Sequence, residues 1–152
     1  MEEDLMSVDY CGRIQNLSVD NKLFKILVED FFERNGFRVL DVGMDMVYEI
    51  YNKRGHEIMS IELVYNVQEP YNRYMSELVE DGFTYSQCIF FTPVKEELCE
   101  EIDFLIIQFL LSVHRQILDE ILVTSEACDD ICIIKNGKVT WRPGISFQTD
   151  IN

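Results

Sequence analysis

Counted outward from the turn Asn52-Lys53-Arg54-Gly55, an antiparallel pairing sets Tyr51 across from His56, Glu49 across from Ile58, Val47 across from Ser60 and Asp45 across from Glu62. Directly opposed residues hold their β-carbons about 4.5–5.5 Å apart. Two carboxylates at that spacing repel. They splay into water, are screened by a neighbouring Lys or Arg, or share a divalent cation. Mg²⁺ suits the last case, because it prefers hard oxygen ligands and takes only one or two carboxylates from protein. Tyr48, His56 and Lys95 are a second set. An imidazole moves protons near neutral pH, and an ammonium group stabilises charge developing on phosphate. His56 reads equally as a solvated residue at a strand start, and His114 as a partly buried helix residue with a satisfied nitrogen.

The elements that would position these groups follow from periodicity. Residues 1–19 lack it and read as a partly ordered N-terminal arm, with a single domain over 20–152. Asp20 caps a helix over Asn21–Asn35, in which Phe24, Leu27, Val28, Phe31 and Phe32 share a face and Asn35-Gly36 makes the stop. Phe37–Val42, Asp45–Tyr51 and His56–Tyr65 read as strands. Pro70 opens a second helix to about Glu80, closed by Asp81-Gly82. Ser86–Thr92 is an apolar strand of the kind covered on both faces. Val94–Val123 is a long helix with apolar residues recurring at threes and fours. Asn136-Gly137 joins two terminal strands, 130–134 and 138–141, in a hairpin. This order predicts a mixed α/β domain whose helices cover a small sheet.

A helix ending in a glycine turn, then Asp45 on one strand and Glu62 on the next, resembles the PD-(D/E)xK nuclease superfamily over residues 20–92. The resemblance implies a metal held by Asp45 and Glu62, with Glu29 or Glu33 as a further ligand, and a lysine two positions after the second acid. Val64 stands at that position, so the resemblance implies a nuclease-like scaffold more readily than a working nuclease. Asn35–Tyr65 also resembles the transfer-RNA splicing endonucleases, which implies metal-free cleavage through Tyr48, His56 and Lys95.

The chain has 152 residues with 28 acidic and 13 basic side chains, a formal charge of −15. A surface this acidic argues against wrapping nucleic acid through its phosphates. Its 47% hydrophobic content supports one packed core and excludes disorder as the main state. Neither a Walker loop nor a Gly-x-Ser-x-Gly elbow is present. Five scattered cysteines read as free thiols of a reducing, intracellular compartment, and Cys128 and Cys132 as buried small side chains rather than metal ligands. The acidic start and the lack of a long apolar run predict a soluble cytoplasmic or nuclear protein without a membrane span.

Glu96, Glu97, Glu100 and Glu101 suit the positive end of the long helix's dipole. Asp119, Glu120, Glu126, Asp129 and Asp130 oppose it at the far end. With Tyr71 and Tyr74 of a tyrosine-rich patch, they form the expected contact surface for a basic protein partner, or else a merely solvated face. The sequence therefore predicts a non-catalytic acidic subunit or adaptor without cofactor. Its alternatives are a nuclease using Mg²⁺ at Asp45 and Glu62, and an acidic immunity-type inhibitor that mimics nucleic-acid charge.

Overall fold

The structure, a computed structural model, describes residues 9–94, 100–126 and 129–144. Asp20 caps α1 (Asn21–Arg34) as expected, accepting from the Leu23 amide at 2.8 Å, and the five predicted apolar residues of α1 are all buried. α2 (Glu100–Ile117) lies against them. Phe109 of α2 joins the two helices to the sheet: its ring meets Phe31 at 5.5 Å, Phe32 at 5.2 Å and Phe91 at 5.9 Å.

Among the described residues ten strands accompany two helices: β1 (Tyr10–Ile14), β2 (Arg38–Asp41), β3 (Val47–Tyr51), β4 (Glu57–Val64), β5 (Arg73–Ser76), β6 (Val79–Thr84), β7 (Gln87–Pro93), β8 (Ile121–Ser125), β9 (Asp129–Lys135) and β10 (Lys138–Trp141). Eight form one sheet in the order β10-β9-β8-β1-β7-β4-β3-β2, and β5 and β6 form a separate hairpin. Each strand pairing is antiparallel.

This corrects the expectation of a mixed α/β domain with a helix-covered sheet, since strand outweighs helix almost two to one. Three local differences produce the change. The helix expected over 70–80 is the β5–β6 hairpin. The long helix stops at Ile117, where Leu118 takes a left-handed φ of 66°, and Ile121 and Val123, which continue its apolar spacing, belong to a buried strand instead. Residues 10–14, read as part of an arm, form β1 near the middle of the sheet, between β8 and β7.

Alternation along the strands divides the sheet into two faces. Tyr10, Ile14, Ile50, Ile61, Phe91, Val123 and Val139 pack with both helices into the main core. Gly12 belongs to that inner face, where a β-carbon would stand 2.7 Å from Leu110 of α2. On the outer face Cys11, Cys88, Leu122 and Ile133 pack under the hairpin residues Phe83 and Tyr85.

Among the described residues, no helix is long and apolar enough to cross a membrane.

Candidate functional site

β3 and β4 pair in a register unlike the one counted from the turn. Val47 faces Glu62, Glu49 faces Ser60 and Ile50 faces Met59, but Tyr51 faces Glu57. Ile58 is the extra residue of a β-bulge. The bulge lets Ile58 and Met59 both enter the core, at 5% and 0% exposure, and it turns Glu57 onto the outer face beside Tyr51. It slides the partners beyond it by one residue, on top of the one-residue offset between Tyr51 and Glu57, so Asp45 does not oppose Glu62. Asp45 lies before β3, in the turn that follows β2.

Asp45 instead lines a cleft of about 280 Å³ with Asp41, Lys25 and Tyr48, at the start of α1. Burial, then the charge of Asp41, pushes the Tyr48 hydroxyl above its ordinary pKa, so it stays protonated there. His56 is exposed at the β3–β4 turn, with its backbone amide on Asn52 Oδ1 at 3.0 Å. Lys95 lies outside the described residues, as do Cys99, Cys128, Glu96 and Glu97. The cations that line this cleft with Tyr48 are thus Lys22 and Lys25 of α1, a helix read for its apolar face and its glutamates. Among the described residues, no group of three His, Cys, Asp or Glu side chains is placed to hold a metal ion.

The acidic residues expected to form one patch have separate roles. Asp119 accepts from Asn16 Nδ2 at 2.9 Å and from Ser18 Oγ, tying down the loop before α1. The Glu120 carbonyl accepts from the Gln15 amide. Asp130 is only 3% exposed and its Oδ2 accepts from Ser76 Oγ at 3.1 Å and the Glu77 amide at 2.7 Å, which pins the hairpin turn to β9. The backbone of Asp129 lies in β9, and its side chain is outside the described set. Tyr71 is exposed, whereas Tyr74 is half-buried over the Arg13 guanidinium at 4.2 Å.

What sequence reasoning missed is the half of the outer sheet face that the hairpin leaves open. One row across it reads Thr124, Cys11, Phe90, Glu62, Val47, and the next reads Thr92, Ser60, Glu49, Leu40. Glu49 and Glu62 are therefore diagonal neighbours on this face, at a spacing of about 7–8 Å. Glu57 joins them through the bulge. Burial and then the charge of Glu49 push the Glu57 carboxyl above its ordinary pKa. At the other end Asp9 and Glu126 line a second cleft with Phe90, and Asp9 is pushed up by burial and then by Glu126. Five carboxylates thus surround Phe90 (38% exposed) and Leu40 (49% exposed). The cations beside the face are engaged by rings: Arg13 with Tyr74 and Tyr85, and Arg38 with Tyr51 at 5.5 Å. Only alternation combined with the correct register could have revealed this surface, because its residues come from six separate segments.

Comparison with protein-family models, with curated proteins and with solved structures finds no match to this chain.

Proposed function

We propose that the chain is a non-catalytic protein-binding module, a subunit or adaptor whose open outer sheet face takes a basic, partly apolar segment of a partner protein. The reading is supported above all by Glu49 and Glu57, two acids on this face near enough that the charge of Glu49 adds to burial in raising the Glu57 pKa. A lysine or arginine arriving from a partner relieves that repulsion. Phe90 within the sheet and Leu40 on its edge strand supply apolar contact on the same surface, and well-packed apolar contacts are where interfaces draw most of their energy. Carboxylates around them set the sign of the partner and accelerate its approach.

The test uses a fluorescent peptide of alternating lysine and leucine. It binds the full chain with an affinity that falls as salt rises from about 0.05 to 0.5 M, as screening requires, and a glutamate–leucine peptide does not bind. Equal binding of both peptides, or binding indifferent to salt, overturns the reading.

A further inference from the structure

Alternation along β1 sends Asp9, Cys11 and Arg13 to the outer face, where they line an open cleft of about 280 Å³ with Phe90, Thr124 and Glu126. Arg13 stands at one end. Its guanidinium lies over the rings of Tyr74, at 4.2 Å, and Tyr85, at 5.2 Å, and its Nη1 donates to Thr124 Oγ1. Its Nε is buried without a hydrogen-bond partner, and among the described residues no carboxylate forms an ion pair with it. A charge drawn from water without a counter-ion is costly. At the other end, Asp9 and Glu126 follow Tyr10 and Ser125 as the next pair of the β1–β8 ladder, the Glu126 amide donating to the Asp9 carbonyl at 3.2 Å. Their β-carbons are therefore directly opposed, about 4.5–5.5 Å apart. Burial and then the charge of Glu126 raise the Asp9 pKa.

We infer that this cleft is a binding site for a small zwitterion, an ω-amino acid whose carboxylate pairs with Arg13 and whose ammonium group is held by Asp9 and Glu126. The inference does not rest on the protein partner, since Arg13 makes this end of the face the poorer seat for a basic segment. A guanidinium fork matches the planar carboxylate, and the ring contacts already fix its plane, so little further ordering is needed on binding. The ammonium group supplies three donors and relieves the repulsion of the opposed acids. A simple anion entering the cleft meets Asp9 and Glu126, and a simple cation meets Arg13. Only a ligand with both charges satisfies both ends. Spacing selects among such ligands. Thr124, to which the guanidinium is tied, stands opposite Cys11. Asp9 lies two residues further along β1, a step of about 6.6–6.8 Å. An α-amino acid carries both charges on one carbon and reaches one end alone. The methylene chain of an ω-amino acid crosses the gap over Phe90, which offers it an exposed ring.

The experiment follows backbone amide shifts of the full, isotope-labelled chain during titration with millimolar γ-aminobutyrate, δ-aminovalerate and ε-aminocaproate. At least one of the three should shift Cys11, Thr124 and Glu126 saturably, with glycine, butyrate and butylammonium each binding several-fold more weakly. Arg13→Gln should lose the response, as should Asp9→Asn combined with Glu126→Gln, and Lys53→Gln in the β3–β4 turn should keep it. Circular dichroism verifies that each variant is folded. Should Arg13→Gln unfold, the ligand series on the wild type and the Asp9→Asn, Glu126→Gln variant still decide. The absence of a saturable shift with all three ω-amino acids would overturn the inference. So would glycine, butyrate or butylammonium binding as tightly as the best of them, or a response that survives in the folded variant lacking both acids.

Discussion

Glu62 stands opposite Val47, and the described carboxylate one diagonal step from it on the same sheet face is Glu49 rather than Asp45. That relationship turns a supposed pair of metal-binding acids into part of an open acidic surface. Its cause is twofold: Tyr51 pairs with Glu57 rather than His56, and the bulged residue Ile58, which the core draws in, adds a second step.

The Glu49–Glu57 repulsion has a definite pH signature. Glu57 titrates above its ordinary value of 4.5 in the folded chain, so between the two values the folded state binds more protons than the unfolded one. Stability from this group is therefore present at low pH and declines as pH rises through that window. Glu49→Gln removes one cause of the shift and keeps an acceptor for the Tyr51 hydroxyl, which donates to Glu49 at 2.7 Å. Its melting temperature relative to wild type should rise between pH 4 and pH 7. A constant difference across that range contradicts the pairing.

Asp130 holds the hairpin turn through two hydrogen bonds. In Asp130→Ala the Glu77 amide loses its partner, at a cost of about 1–3 kcal/mol, and a buried carboxylate is lost with it. Limited proteolysis should then cut first between β5 and β6, with the main sheet still protected in hydrogen exchange. Uniform loss of protection would show that the hairpin and sheet open together.

Phe109 touches three rings from two other elements, so Phe109→Ala opens a cavity at the junction of α1, α2 and β7. The expected loss is about 3–5 kcal/mol by denaturant titration. Gly12→Ala is the complementary change, because its new methyl meets Leu110 of α2. It should cost about 1–3 kcal/mol, and the second substitution Leu110→Val should recover part of that.

Asp45 and Glu62 no longer share a site in the observed register, so Mg²⁺ at millimolar concentration should not separate the melting temperatures of wild type and Asp45→Ala. A metal-dependent rise in the wild type alone would restore the shared cation, since a ligand bound only to the folded state stabilises it.

Features written locally were legible in the residues. Asp20 caps α1, Asn136-Gly137 takes the positive φ values of 54° and 75° that a tight hairpin needs, and His114 is buried with both ring nitrogens engaged, by the Asp119 carbonyl and the Gly137 amide. Features set by long-range packing were not. β1 (Tyr-Cys-Gly-Arg-Ile) hides its alternation because Cys11 is covered by the hairpin on one face, and Gly12 is small where α2 presses close on the other. Residues 70–84 carry a helix-like start at Pro70, yet Tyr74, Phe83 and Tyr85 are drawn over the outer face as a hairpin. The bulge at Ile58 follows from two adjacent apolar residues competing for one core, which no count from a turn anticipates.

Whether the open face carrying Glu49, Glu57, Glu62 and Phe90 receives a basic segment is decided by the backbone amide shifts of the isotope-labelled chain titrated with the lysine–leucine peptide. The largest changes should fall on Glu49, Ser60, Glu62, Phe90 and Thr92, and Glu49→Lys with Glu62→Lys should abolish them in a folded chain. Changes centred on α1 and α2, or a map that survives both charge reversals, would overturn the proposed docking face.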